Sequence, residues 1–242
     1  MKPLIQDWFP PTKQDNYETI LFLWTLFPMA ASLQWLVSWY GMGKTSVESR
    51  LNLPGRPGWI LMEVPGAVTL LYTMWMVSEE KGIEDLAWQN KVLAGLFVIH
   101  YSYRAIMYPL MAPSMSPIHI VVWLLGLFFQ VMNGTCLGAW LGGYGPVTRQ
   151  DWEAHPLGTL QFVVGIAVFY IGLAGNYIHD DELREIRRQE LRRQERILAQ
   201  QKREGEKGSV EKVYRLPQAG LFRSREEPRG RSPTGRPTNV VN

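Results

Sequence analysis

Long apolar stretches alternate with short polar connections over most of this chain. Five segments run for about twenty residues with few or no charged side chains. They are 20–40, 59–77, 92–111, 118–141 and 157–178. A helix of about twenty residues spans the roughly 30 Å hydrocarbon core of a bilayer, and several of these segments carry tryptophan near an end, as membrane–water interfaces favour. The pattern therefore predicts an all-α fold, a polytopic transmembrane helix bundle with about five spans.

Charged residues are concentrated in the connections and above all in the last quarter of the chain. The formal net charge is +3, and the single cysteine, Cys136, excludes an intrachain disulfide framework and a cysteine-based metal centre. The connection after the first segment and the region after the fifth are rich in basic residues, whereas the connection after the second is acidic. Because basic loops face the cytosol, we expect a lumenal N-terminus and a cytosolic C-terminal tail.

The same composition divides the chain into four regions. They are a lumenal N-terminal segment (1–19), a transmembrane domain (20–179), a charged cytosolic region (180–222) and a disordered tail (223–242). The charged region alternates acids and bases with apolar residues at helical spacing, which predicts a solvated or membrane-surface helix. Interleaved glutamates cancel most of the arginine charge there, so we expect no nucleic-acid partner, and no obligate protein partner is predicted.

Ionisable side chains interrupt the second and third apolar segments. Glu63 lies in the second, and His100, Tyr101 and Arg104 lie near the middle of the third. An ionisable group in hydrocarbon costs about 2.5–3.5 kcal/mol on insertion scales, so such residues usually mark a functional site. A carboxylic acid and a phenol that converge on one carbonyl oxygen would polarise it. A structural ion pair between Glu63 and Arg104 remains an alternative interpretation.

The end of the fifth segment combines amide, acidic and basic side chains. Asn176 and Asp180 precede an arginine cluster that begins at Arg184. Such residues at a cytosolic membrane face suit the ribose and phosphates of a nucleotide. By itself this signal is weak, because a helix end followed by a solvated run of charges explains the same residues.

Five short motifs, in this order, resemble the steroid 5α-reductase family. They are RPGWILMEVP at 56–65, HYSYRAIMYP at 100–109, NG at 133–134, NYIHDDEL at 176–183 and YRLPQAGLF at 214–222. The resemblance covers about 54–222. It implies a seven-helix, multi-pass bundle in the endoplasmic reticulum membrane that holds NADPH and a lipid-like substrate.

The resemblance also implies a reaction and residues that perform it. Glu63 and Tyr101 match the catalytic positions that hydrogen-bond an enone carbonyl while hydride passes to the β-carbon and a proton to the α-carbon. The positions matching cofactor-binding residues of the family are Trp59, Asn176, Asp180, Arg187, Tyr214 and Arg215. The implied function is NADPH-dependent reduction of an enone C=C bond in a steroid, sterol or related lipid, with enoyl thioesters and polyprenols as alternative substrates.

The chain departs from the family pattern at several places. Met62 stands where the vertebrate steroid enzymes carry a glutamine, and the charged stretch between Arg187 and Tyr214 is longer than in animal relatives. The further apolar spans of the family do not follow Phe222. We expect that a misread splice site or reading frame explains this departure. A catalytically inactive membrane scaffold or lipid-binding protein is the alternative function. A transporter is disfavoured because no inverted repeat is visible.

Overall fold

Helices dominate the computed structural model, which describes residues 4–36, 38–43, 48–154 and 157–204. The α-helices are α1 (Gln14–Ser32), α2 (Gly55–Glu80), α3 (Trp88–Tyr101), α4 (Tyr108–Met111), α5 (Ile120–Ala139), α6 (Arg149–Glu153) and α7 (Gly158–Glu204). A 3₁₀ turn (Leu33–Leu36) follows α1, and π-helical turns follow α3 (Ser102–Met107) and α5 (Trp140–Tyr144). The predicted all-α class is confirmed.

Two very short strands are the only departure from helix among the regular elements of the described residues. β1 (Asn52–Leu53) and β2 (Ile118–His119) pair antiparallel, with Asn52 opposite His119. Two-residue strands leave no alternating pattern in a sequence, so their pairing depends on how the helices bring the loops together. The pair joins the entry of α2 to the entry of α5.

The chain divides into two compact units, Met1–Asn176 and Tyr177–Asn242. The first unit holds α1 to α6 and the beginning of α7. The described part of the second unit is helical, and ion pairs one turn apart stabilise it. These pairs are Arg184–Asp181 at 3.3 Å, Arg188–Glu185 at 3.7 Å and Arg193–Glu190 at 3.0 Å.

Close contact between α2 and α5 forms the centre of the first unit. Gly134, Gly138 and Gly142 follow one another at four-residue spacing and lie against the backbone of α2. A Cβ added at each would meet in turn the carbonyl oxygens of Gly66, Leu70 and Met74. Small residues at this spacing let two helix backbones approach, which is the common way for helices to associate in membranes. The glycines therefore determine the register of α5 against α2.

We expect Gly138→Ala to destabilise the fold by about 1–3 kcal/mol, because a Cβ there would overlap the carbonyl oxygen of Leu70 and lie 3.0 Å from Thr73 Cβ. Thermal unfolding of the purified chain in detergent measures the effect. Gly165→Ala is the matched control, since a Cβ at that position on α7 meets nothing within 4 Å. Equal midpoints for the two variants would contradict the close contact.

Three helices are long and apolar enough to cross a membrane, as judged by length and composition over the described residues: Gly55–Glu80, Ile120–Tyr144 and Gly158–Gln201. The sequence predicts five spans. The first predicted span falls short because α1 has 19 residues and begins with the polar stretch QDNYET. The third falls short because α3 ends after 14 residues, where the π-helical turn begins. The first of these segments is nevertheless helical as far as Leu36, and the third is helical throughout.

Large apolar side chains cover much of the outer surface. On α2 they include Leu61, Val68 and Leu71, and on α5 they include Leu124 and Phe128, each between 47% and 63% exposed. Soluble monomers rarely expose apolar patches of this extent. The surface therefore agrees with the predicted membrane bundle.

The π-helical turn after α3 has a visible cause in the sequence. Pro109 lacks the N–H that an uninterrupted α-helix would donate to the carbonyl four residues earlier. The backbone widens over Ser102–Met107 just before this proline and resumes as α4. Widened turns of this kind often occur at functional sites. Here the turn contains Arg104 and directly follows Tyr101.

Candidate active site

Glu63 is buried in the α2–α5 contact. It lies in the third turn of α2 and is 7% exposed. Gln130 of α5 donates a hydrogen bond from Nε2 to Glu63 Oε2. Arg104 is near enough to interact electrostatically with the carboxyl group, but the described residues contain no direct ion pair between the two. The hydrogen-bonding partner of this acid is therefore an amide of the adjacent helix.

Tyr101 ends α3 beside the same amide. Its residue is 9% exposed, and its ring packs at 4.5 Å from the Phe97 ring and edge-on at 5.1 Å from the His100 ring. The phenol lies near enough to Glu63 and to the Gln130 side chain to interact electrostatically, but the described residues contain no hydrogen bond between Tyr101 and Gln130. The two predicted catalytic residues are thus neighbours, and Gln130 is hydrogen-bonded to the acid alone.

Arg104 is held by aromatic faces. Its guanidinium lies 4.8 Å from the ring centre of Trp59 and 5.4 Å from that of Tyr108. The indole Nε1 of Trp59 donates to the carbonyl oxygen of Arg104 at 3.1 Å. These cation–π contacts stabilise a cation in apolar surroundings. They also place Trp59, a predicted cofactor residue, beside the π-helical turn.

An apolar cavity of about 840 Å³ opens next to Tyr101. Its volume falls in the upper part of the range of small-molecule sites, roughly 300–1,000 Å³. Most of its lining is aliphatic or aromatic, and His100, Asp151 and Gln161 add polar groups. Glu63 does not line it. Of the two predicted catalytic residues, Tyr101 therefore lines the cavity and Glu63 does not.

Asn90 joins the elements at one end of this cavity by hydrogen bonds. It is fully buried on α3, and its Nδ2 donates to the carbonyl oxygens of Leu141 and Pro146, at 2.8 Å each. Its Oδ1 accepts a hydrogen bond from Trp152 Nε1 at 2.8 Å, and Trp152 lines the cavity. One carboxamide therefore ties the connection after α5 and helix α6 to α3. Such a satisfied buried polar group rigidifies the packing around it.

The connection that Asn90 holds also contains a capped helix start. Thr148 caps α6 by accepting a hydrogen bond from the backbone N–H of Asp151, whose carboxylate accepts one from the backbone of Thr148. These hydrogen bonds from Thr148 hold the pKa of Asp151 below its ordinary value. The carboxylate is therefore ionised at the mouth of the cavity at neutral pH.

The remaining predicted cofactor residues lie late in the chain, from Asn176 onwards. Asn176 is exposed at the end of the first unit, while Asp180 and Arg187 belong to the second unit and are partly buried. Tyr214 and Arg215 lie outside the described residues. Neighbouring arginines pair with acids, but Arg187 has no ion-pair partner within the described part of the chain. An unpaired guanidinium fits a phosphate group, which it can bind through two parallel hydrogen bonds.

Two residues of this arrangement were not among the candidates from sequence. Gln130 is a single amide in an otherwise apolar run, whereas Asn90 lies between Gln89 and Lys91 in the polar first turn of α3. Their partners lie 51 to 67 residues away along the chain. Only helix packing brings these partners within reach.

Comparisons with known proteins agree on one family. The sequence model described as 3-oxo-5-alpha-steroid 4-dehydrogenase matches residues 116–223. The chain is 30% identical over 195 residues to uncharacterized protein C9.08c of Schizosaccharomyces pombe, covering 74% of this chain and 65% of that protein. It is 28% identical over 196 residues to mouse 3-oxo-5-alpha-steroid 4-dehydrogenase 1, covering 81% and 66% respectively. For mouse 3-oxo-5-alpha-steroid 4-dehydrogenase 2 the identity is 29% over 192 residues, covering 76% and 61%. The chain thus spans less than two thirds of the length of each relative.

Proposed function

Since this chain belongs to the steroid 5α-reductase family, as its motifs predict, we propose that it reduces the C=C bond of an enone with NADPH. The substrate would be a steroid, a sterol or a related lipid, and the enzyme would be a multi-pass protein of the endoplasmic reticulum membrane. The observation that carries the proposal is that the buried Glu63 and Tyr101 lie near enough to interact electrostatically, beside an apolar cavity that Tyr101 lines.

The proposed chemistry is activation of the carbonyl by two hydrogen-bond donors. Tyr101 donates from its phenol and Glu63 from its carboxylic acid to the enone oxygen, which draws electron density from the conjugated β-carbon. Negative charge then accumulates on that oxygen as an enolate when hydride adds to the β-carbon. Donors already oriented in a dry site stabilise such charge more than water does. A proton delivered to the α-carbon completes the saturated ketone.

The cofactor is NADPH, which when bound supplies the hydride. Arg187 would bind one of its phosphates, and Asn176 and Asp180 would offer an amide and a carboxylate to ribose hydroxyls. Trp59 would present its partly buried ring, which already lies beside the Arg104 guanidinium. Arg104 itself adds positive charge near Glu63 and so favours a build-up of negative charge on the carbonyl oxygen.

The cavity suits a rigid, mostly apolar substrate. Phe97, Phe162 and Phe169 contribute aromatic faces to it, and its volume of about 840 Å³ accommodates a fused-ring or isoprenoid skeleton. A substrate carbonyl at the Tyr101 end would leave the remainder of the molecule among these rings. Enoyl thioesters and polyprenols stay alternative substrates, because an apolar lining discriminates weakly among lipids of similar width.

A lipid-binding protein without catalysis is the second candidate. It is favoured by one observation: Glu63 does not line the cavity, so a lipid can occupy it without touching the acid. In that case Tyr101 and His100 would only position a polar head group. The two candidates predict the same ligand class and differ in whether the ligand is changed.

Isotope transfer separates the two candidates. The full chain, reconstituted in lipid nanodiscs, is incubated with NADPH deuterated at the transferring position and with a 3-oxo-Δ4 steroid, an enoyl thioester or a polyprenol-derived enal. We expect one deuteron at the β-carbon of the product, detected by mass spectrometry, for at least one of these compounds. Quenching of the tryptophan fluorescence by a substrate that is recovered unchanged would instead identify a lipid-binding protein. Glu18→Gln, an exposed substitution on α1, is the control for activity lost during preparation of the nanodiscs.

A further inference from the structure

A carboxamide from the neighbouring helix completes the surroundings of Glu63. Gln130 of α5 is 5% exposed, so 95% of its surface is withdrawn from solvent. Its Nε2 donates to Glu63 Oε2, and the same side chain interacts with the phenol of Tyr101. Met62, directly before Glu63, contacts Gly126 of α5 through its thioether. Its side chain therefore offers no comparable hydrogen bond.

The oxygen end of the carboxamide is positioned by packing and not by a hydrogen bond. Gln130 Oε1 is buried with no hydrogen-bond partner among the described residues. It lies against Gly66 of α2, so closely that a Cβ on Gly66 would overlap it. Gly66 follows Glu63 by three residues and thus lies on the same face of α2, one turn further. The absence of a side chain at Gly66 makes the space in which the amide lies.

An unpartnered buried acceptor is unfavourable, so what the amide gains must lie at its nitrogen. The group at that end is the Glu63 carboxyl, a predicted catalytic group. A leucine of similar size would fill the same space without leaving Oε1 unpaired. The glutamine is therefore better explained by the carboxyl group that it contacts than by packing.

We propose that Gln130 is a positioning residue that assigns different tasks to the two oxygens of Glu63. By donating to Oε2, the amide uses that oxygen as an acceptor and leaves Oε1 to carry the acid proton towards the substrate carbonyl. The Tyr101 ring is held by its own contacts with Phe97 and His100, so the amide orients the acid and not the phenol. This inference rests on the proposed function, because the oriented acid proton has a task only when a substrate carbonyl is to be activated.

The first test is kinetic. Gln130→Leu is expected to lower kcat for enone reduction by about tenfold to a hundredfold, because misplacing a reacting group by about 1 Å costs on the order of a hundredfold. KM should change by less than about twofold, since the cavity itself is intact. The control is Gln89→Leu, which removes another buried glutamine whose Oε1 has no partner in the described part of the chain. An unchanged kcat in Gln130→Leu would overturn the proposal.

A second variant reaches the same contact from the opposite helix. Gly66→Ala should displace the carboxamide and lower kcat comparably, whereas in a Gln130→Ala background the same change should cost nothing further. Gly95→Ala is the control, because a Cβ there meets nothing within 4 Å. Additive losses from Gly66→Ala and Gln130→Ala would show that Gly66 acts on something other than this amide.

Infrared spectroscopy provides a readout that does not require turnover. The carboxyl stretching band of Glu63, identified by its loss in Glu63→Gln, should shift in Gln130→Leu because the accepted hydrogen bond is removed. A shifted band in a protein that reduces no enone would support the contact and refute the proposed reductase function. A band that stays in place would refute the role of Gln130, whatever the activity.

Discussion

Glu63→Gln is expected to lower enone reduction by roughly a hundredfold to a thousandfold while the protein remains folded. The new amide has nearly the shape of the acid, and its oxygen can accept the hydrogen bond that Gln130 now donates to Oε2. What it lacks is an acidic proton to share with the enolate oxygen. Turnover in nanodiscs and the thermal unfolding midpoint of the same preparation measure the two effects separately.

The alternative interpretation, a structural ion pair between Glu63 and Arg104, predicts a different result for Glu63→Gln. If Glu63 chiefly neutralised Arg104, Glu63→Gln would leave a buried cation without its counter-ion and lower the unfolding midpoint by several degrees. Arg104 instead lies over the Trp59 and Tyr108 rings, and the described residues show no direct pair with Glu63. Glu18→Gln is the matched control, since Glu18 is an exposed acid of α1 whose carboxylate accepts a hydrogen bond from Gln14.

Tyr101→Phe is expected to reduce turnover by about a hundredfold, because it removes one of two donors to the developing negative charge. The ring would keep its contacts with Phe97 and His100, so the cavity keeps its shape. KM should therefore change much less than kcat. Steady-state kinetics with the best substrate measures both, and Tyr40→Phe, at an exposed tyrosine, is the control.

The double variant tests whether the two groups act on one oxygen. If Glu63 and Tyr101 stabilise the same enolate, the combined loss should be smaller than the product of the two single losses. Losses that multiply fully would mean that they act at separate steps. In that case the proximity of Glu63 and Tyr101 would have no catalytic meaning.

The apolar pattern anticipates the helices well where one segment is long and uninterrupted. α2 contains the second predicted span, and α5 covers the fourth except for two residues at each end. α7 covers the fifth from its second residue and continues without a break to Glu204. The comparisons likewise support the predicted family, since the similar proteins include 3-oxo-5-alpha-steroid 4-dehydrogenases. The first and third predicted spans are less regular, since a polar first turn and Pro109 limit how much unbroken apolar helix can form.

The site could be anticipated only in part. Glu63, Tyr101 and Arg104 are conspicuous because charged or phenolic groups are costly within apolar helices, and their catalytic and cofactor roles stay predictions. Gln130 and Asn90 carry no charge, so their sequence signal is weak. Their importance depends on which face of α5 or α3 meets which neighbour. The pairing of helix faces depends on the glycine contact and on the packing of several helices, so it cannot be predicted from the sequence of one segment.

The glycine contact between α2 and α5 has an evolutionary consequence. Where two backbones touch, there are no side chains whose replacement a neighbour could absorb, so the inner faces of these helices can change little. The outer faces meet only lipid chains, which accept almost any apolar residue of any size. Substitutions should therefore accumulate outside while the geometry between Glu63 and Gln130 persists. A family built in this way can diverge widely in sequence and adapt to membranes of different composition around an unchanged acid.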